Sequence, residues 1–414
     1  MRPNGPLSGS VRIGGAKNSV LKILAATLMA QGDYRLVNVP HIADVETMCD
    51  LLVSMGVDVV RDGESLVVHR GSDIVPEAPY ELVERMRASV VVLGPLLASF
   101  GWAKVSMPGG DDFGSRPIDD HLLGLEQLGA EFELSHGDIE GRAPRGLTGS
   151  RILFEVPSVT ATETVLMAAV RAKGQTTIEN AAREPEIADL AAFLNRMGAR
   201  IIGAGTSTIE VEGVDELTAI EHEVIGDRIE AATFLAAVGV AGGEIEIEGA
   251  RADHMDMLIH KLGDMGLRIS STSSGLWASA SRRLRSVDIA TLPYPGIATD
   301  YKPLLVALLA VADGVGIVTE NLYGANRFRY INELIRMGAD IRTEGHHAVV
   351  RGVSRLSGAR VKAADLRAGA ALVLAGLVAD GETVVDEAFH IERGYDDLAG
   401  KLRQLGADVQ RLRD

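Results

Sequence analysis

The chain has 414 residues, enough for two or three domains of roughly 100–200 residues each. Hydrophobic residues make up 46% and charged residues 24%, and 41 Lys plus Arg against 57 Asp plus Glu leave a net charge of −16. That composition excludes a disordered or collagen-like chain, and it disfavours sequence-independent nucleic-acid binding or docking on an anionic membrane. The lone Cys49 cannot form an intramolecular disulfide. The start, MRPNGPLSGSVRIGGAKNSV, has no apolar h-region, so a cytoplasmic protein is expected. The longest apolar stretches, such as Leu304 to Ala312, reach about half a membrane span.

In chain order, the first chemical element is GGAKNSVLK, with Lys17 and Asn18 at a strand-to-helix turn. Backbone N–H groups at such a turn face an anion. Cys49 follows in the helical ETMCDLLVSM, where it reads as a small buried hydrophobe. RMRAS holds Arg87 at a similar turn. The stretch from Met107 to Asp120 carries Gly109, Gly110 and Gly114 around Asp111 and Asp112. It reads either as a mobile lid that brings in a proton donor or as a long solvated hairpin. REPEIADLAAF opens a helix with Pro185 in its first turn; its Glu184 and Glu186 are structural or help to shape a cleft. LPYPGIATDYKP leads into Asp300, which is either a base or hydroxyl-orienting group or a helix N-cap. Arg116, Arg327, Arg367 and Arg393 sit beside Gly, Ala, Asn or Ser at further turns. An acidic chain that keeps arginines at equivalent turns converges them on a polyanionic small ligand, since guanidinium pairs bidentately with phosphate and carboxylate. His346–His347 has no metal-ligand companions at suitable spacing, and no Walker A or HExxH motif is present.

Two short patterns alternate along the whole chain. In one, a Leu/Met-rich helix ends on Gly56, Gly129, Gly198, Gly266, Gly338 or Gly406, at spacings of 73, 69, 68, 72 and 68 residues, and an alternating stretch follows. In the other, an Ala/Leu-rich helix ends before Gly32, Gly101, Gly174, Gly243, Gly314 or Gly381. Glycine suits a helix end because it adopts positive φ without steric cost, and the alternation that follows is half-buried strand. Each repeat reads as βαβαββ, and six repeats divide into two lobes of three. The expected lobes are residues 18–225, carrying the Gly-rich lid, and residues 1–17 plus 226–414. The second set of helices is too apolar for a surface position, which places helices inside and strands outside. A ligand site is expected in the interdomain cleft.

The segments GGAKNSVLK, MRASVVVLGPLLA, FGSRPID, ENAAREPEI, GDRIEAATF, TDYKPL, NRF, ADLRAGAALVLAGL and HIERGYDDLAGKLRQLGA together resemble the enolpyruvyl transferases, in order and over nearly the whole chain. The resemblance implies two inside-out α/β barrel lobes. It implies transfer of the enolpyruvyl group of phosphoenolpyruvate to the 3-hydroxyl of UDP-N-acetylglucosamine, with release of phosphate, in peptidoglycan precursor synthesis. No cofactor or metal is implied. By motif, Lys17, Arg116, Arg327, Arg367 and Arg393 match residues around phosphoenolpyruvate. Asn18, Arg87, Arg116, Pro117, Ile118, Asp119, Asp120, Ser158, Val159, Thr160, Asp300 and Leu322 fall where the family holds the nucleotide sugar. Asp300, Lys17 and Arg393 match catalytic positions, with Asp111 at the lid position; Asp365 lies in the matching DLRA element, and Glu184 in REPEI.

Several positions depart from the family pattern. Asp111 stands where the family commonly has cysteine, which implies insensitivity to fosfomycin, an alkylator of that thiol. Thr160 replaces a glycine at the nucleotide turn, Val156 replaces a commonly basic residue, and Asp120 replaces an apolar one. Gly324 or Ala325 holds a commonly acidic position. These departures leave a second reading open, in which the same transfer is made to another uridine nucleotide such as UMP. The shikimate branch and a non-catalytic nucleotide-binding paralogue fit the motifs less well.

Overall fold

The computed structural model describes residues 1–109 and 118–412, with the backbone alone for Ala325 and Asn326. The chain divides into two compact units, Gly15–Ile225, and Met1–Gly14 with Gly226–Asp414. Each has its own apolar core.

Unit Gly15–Ile225 contains α1 (Lys17–Ala26), α2 (Ala43–Ser54), α3 (Tyr80–Val83), α4 (Leu93–Phe100), α5 (Asp119–Gln127), α6 (Val159–Ala169) and α7 (Pro185–Met197). Its strands form three four-stranded sheets of one design. In the first, Glu221–Glu223 runs parallel to Gly32–Val37, which pairs antiparallel with Ser65–Arg70 and through it with Asp58–Asp62. Trp102–Ser106 is the corresponding strand of the second sheet and Gln175–Glu179 of the third.

The other unit contains α8 (Arg228–Ala241), α9 (Asp256–Met265), α10 (Lys302–Val311), α11 (Ile331–Arg336), α12 (Leu366–Gly376), α13 (Phe389–Glu392) and α14 (Leu398–Gln404). Two of its sheets repeat the design, around Gly243–Glu248 and Val315–Thr319. The third does not: it is reduced to the parallel pairs Leu356–Ser357 with Ala379–Asp380 and Arg360–Lys362 with Val384–Asp386. The reason lies after Gly406. The expected strand there is a single bridge between Asp408 and Arg2, because the N-terminal residues take the neighbouring backbone groups, with Thr383 donating to Met1 O. Among the described residues the sheets of a unit are separate hydrogen-bonded sets, with no ladder running from one into the next.

The twelve repeat glycines all have positive φ, between 68° and 128°; those of the first pattern and Gly101 sit at helix ends, whereas Gly32, Gly174, Gly243, Gly314 and Gly381 lie further on, in the turn or at the strand that follows. Two kinds of helix follow from the sequence. Every residue of α12 is buried, and all but one of α1 and α10, whereas α9 buries only Leu258, Leu262 and Met265. A helix apolar all round needs protein on every side, while a striped one needs it on one. Close packing in the first unit depends on small residues: a Cβ on Gly94 of α4 would lie 2.2 Å from Thr164 O on α6. Among the described residues no helix is long and apolar enough to cross a membrane.

Candidate active site

In unit Gly15–Ile225, the candidate residues collect at helix starts. Lys17 opens α1, and its ammonium lies 2.6 Å from Asp44 Oδ2 in the first turn of α2; both side chains are buried. Asn18 follows, half-buried, and its carbonyl accepts from Lys22 Nζ at 2.7 Å. Lys22 also pairs with Glu163 of α6 at 3.3 Å. Burial pushes the Glu163 carboxyl up to about 8; Lys22 opposes the shift, and the charges of Glu186 and Glu184 add to it. Glu184 immediately precedes Pro185 at the start of α7. Lys22 therefore links the second turns of α1 and α6, while the like charges of Glu184 and Glu186 at the start of α7 disfavour ionisation of the same carboxyl.

The starts of α5 and α6 are joined by His121. Its Nε2 lies 3.0 Å from Thr160 Oγ1 and its Nδ1 3.0 Å from Thr164 Oγ1. Thr164 Oγ1 donates to Thr160 O at 2.9 Å, so its oxygen accepts from Nδ1–H, and Nε2 accepts from the Thr160 hydroxyl. Burial, helped by the charge of Arg87, pulls the ring down to about 3, so it is neutral at physiological pH. Ile118 is buried and Asp119 exposed; Asp120 is half-buried, and its carboxyl is raised by burial and by Asp119 and Glu155. Ser158 is the N-cap residue of α6, and Val159 and Thr160 fill its first turn.

In the other unit, Arg367 lies in the first turn of α12, 6% exposed, with Nε 3.6 Å from Asp300 Oδ1. Burial alone would lower the guanidinium's pKa, but Asp300, Tyr395, Asp227 and Asp365 together raise it. Asp300 is not a helix cap: α10 is preceded by Tyr301 and has no side-chain cap. Asp365, by contrast, does cap α12, accepting from Arg367 N and Ala368 N at 2.9 Å each. Arg327 is half-buried, with its guanidinium carbon 4.3 Å from the centre of the Tyr323 ring. Leu322 is half-buried and donates its N–H to Glu320. Arg393 follows α13 directly. Asp111, Arg116, Pro117 and the rest of residues 110–117 of the expected lid lie outside the described residues.

The family model for EPSP synthase (3-phosphoshikimate 1-carboxyvinyltransferase) matches residues 1–402. The chain belongs to this family of enolpyruvyl transferases. It is 49% identical over 406 residues to the UDP-N-acetylglucosamine 1-carboxyvinyltransferase of Trichlorobacter lovleyi, covering 98% of this chain and 97% of that one. It is 51% identical over 408 residues to the protein of the same name from Myxococcus xanthus, with the same coverage. Among solved structures, the enolpyruvyl transferase NikO from Streptomyces tendae superposes with a TM-score of 0.88 at 26% identity, over 99% of this chain and 97% of that one. An EPSP synthase from Acinetobacter baumannii, at 17% identity and a TM-score of 0.76 over 99% and 98%, agrees in fold.

As an enolpyruvyl transferase, the chain has polar residues around these positions that the sequence reading missed: Asp44, His121, Glu163, Lys302 and Glu320. Each has its partner remote in sequence, as Glu163 has in Lys22. The only sequence signal was a charged residue on an otherwise apolar helix face, as in ATETVLM and YKPLLV.

Proposed function

We propose that the chain is a UDP-N-acetylglucosamine 1-carboxyvinyltransferase acting in peptidoglycan precursor synthesis, and hence in the cytoplasm. One observation carries the proposal: identity near one half, over almost the full length, to curated relatives of that name. The reading includes inside-out α/β barrel lobes of three repeats each; the wholly buried α12 and the almost wholly buried α1 and α10 support it.

In this reading the methylene carbon of phosphoenolpyruvate takes a proton and the acceptor hydroxyl oxygen bonds to the neighbouring carbon. The hydroxyl proton goes to a base. The bond from that carbon to the phosphate oxygen then breaks, the methyl group returns a proton, and phosphate leaves. Asp300 is the base, oriented by Arg367 at 3.6 Å. Asp111 is the acid. Lys17, Arg116, Arg327, Arg367 and Arg393 neutralise phosphate and carboxylate as charge moves onto the leaving group. Asn18, Arg87, Arg116 to Asp120, Ser158 to Thr160 and Leu322 hold the nucleotide sugar, with Glu184 beside them at the start of α7, while Asp365 fixes the start of α12. Thr160 is compatible with this because its hydroxyl is engaged by His121.

Phosphate release from phosphoenolpyruvate, measured in parallel with UDP-N-acetylglucosamine and with UMP, tests the proposal. Release with the amino sugar is expected. Release with UMP alone would move the enzyme to the second reading and make Thr160 and Asp120 its specificity determinants.

A further inference from the structure

Glu320, which no motif pointed to, carries a carboxylate with five donors. It is fully buried. Its Oε1 accepts from Thr291 Oγ1 at 2.8 Å, Leu322 N at 2.9 Å and Tyr323 N at 3.2 Å. Its Oε2 accepts from Thr299 Oγ1 at 2.8 Å and Lys302 Nζ at 2.6 Å. Five donors saturate a carboxylate, which offers about four lone-pair sites. Lys302 is itself 1% exposed, with its ammonium 4.1 Å from the centre of the Phe328 ring. A second tie runs alongside, from Asn321 N to Thr291 Oγ1 at 2.9 Å and from Asn321 Nδ2 to Thr291 O at 3.1 Å.

Stability is a poor explanation for this cluster. A buried ion pair is commonly no better than an apolar pair of the same volume, because desolvation offsets the attraction. What distinguishes the cluster is which segments it joins. The two donors to Oε2, Thr299 and Lys302, flank Asp300 in the chain. Two of the donors to Oε1 are the backbone of Leu322 and Tyr323. One rigid group therefore fixes the spacing between the segment bearing Asp300 and the loop bearing Leu322.

We infer that Glu320 is a positioning residue, holding Asp300 and the Leu322 loop in the register that brings the acceptor hydroxyl to its base. The inference rests on the roles proposed above for Asp300 and Leu322. A glutamine at this position has one acceptor oxygen, so either the Leu322 or the Thr299 side loses its partner. A displacement near 1 Å at a reacting group costs about a hundredfold in rate.

The test is steady-state kinetics by phosphate release. The wild type is measured first with UDP-N-acetylglucosamine and UMP, and the variants are then run on whichever acceptor it uses. For Glu320→Gln, kcat should fall about tenfold or more, and KM for the acceptor should rise about five times as much as KM for phosphoenolpyruvate. Glu320→Asp, which keeps the charge, should recover part of kcat. Thr299→Val, nearly isosteric, unloads only the Asp300 side. It should lower kcat about threefold or more with acceptor KM within about twofold, and it decides the matter if Glu320→Gln does not fold. Unchanged kcat in either folded variant overturns the inference, and so does an equal rise in both KM values. Release by the wild type with neither acceptor overturns both this inference and the proposed function. Release with UMP alone overturns only the acceptor assignment, and the same kinetic split on UMP then decides the inference.

Discussion

At the scale of single residues, the proposed chemistry turns on Asp300 and Asp111, carboxylates that the sequence could name but not place. Asp300 followed by an apolar helix is the usual pattern of an N-cap, but Tyr301 precedes α10 and Arg367 lies beside the carboxylate, which is the geometry the proposed role of Asp300 uses. Asp365, in a site motif, does cap its helix, its Oδ1 accepting from two backbone N–H groups of α12. Asp111 matters because of the thiol it replaces. An alkylating epoxide needs a strong nucleophile, and a carboxylate is a weak one beside a thiolate. Phosphate release should therefore persist after incubation with fosfomycin. Asp111→Cys should lose activity progressively under the same treatment, with phosphoenolpyruvate slowing the loss. Time-dependent inactivation of the wild type would contradict this. Cys49 offers no alternative target, being buried and pushed up to about 12 by burial.

At the scale of elements, the repeat was readable because it is written in local terms. Apolar spacing sets the helix, glycine ends it and alternation makes the strand, so the first-pattern glycines and Gly101 could be placed at helix ends from the sequence, while the other five, also at positive φ, turn the chain into or out of a strand. What could not be read is any contact between elements. Nothing local in ATETVLM says that Glu163 meets Lys22, or that Thr160 meets His121, since both pairings depend on which helices pack. Gly94 shows the same limit. In the sequence it is one more small residue in an apolar helix; in the fold it lets α4 approach α6 until a Cβ would meet Thr164 O at 2.2 Å. Gly94→Ala gains about 1 kcal/mol in helix propensity but forces the backbones apart, at about 1–3 kcal/mol or more. Gly263, in exposed surroundings on α9 with nothing within 4 Å of its would-be Cβ, has no such penalty. Urea denaturation should show Gly94→Ala destabilised and Gly263→Ala stabilised by about 0.5–1 kcal/mol. Equal shifts would mean that the α4–α6 approach is not tight.

At the scale of the whole molecule, three buried groups should govern how stability changes with pH. Stability rises with pH wherever the unfolded chain binds more protons than the native one. His121, pulled down to about 3 by burial and Arg87, contributes stability above its ordinary value near 6.5, lost as pH falls towards 3. Glu163, pushed up to about 8 by burial against the pull of Lys22, contributes stability below its ordinary value of 4.5, lost as pH rises to about 8. Lys302, pulled down to about 8 by burial against the pull of Glu320, contributes stability above 10.5, lost as pH falls through 8. His121 and Glu163 oppose each other from pH 4.5 to 6.5. Between pH 6.5 and 8 neither His121 nor Lys302 changes its protonation, and Glu163 alone of the three acts, so stability should decline there. Above pH 8 Lys302 should reverse the trend. Glu163→Gln removes the titrating proton but leaves Lys22 its bond to the Asn18 carbonyl. Gln mimics the protonated carboxyl, so the variant's urea midpoint should change less between pH 6.5 and 8 than that of the wild type, and its advantage over the wild type should grow with pH. An unaltered slope would show that Glu163 is ionised throughout that range, and that Lys22 outweighs both its burial and the charges of Glu184 and Glu186.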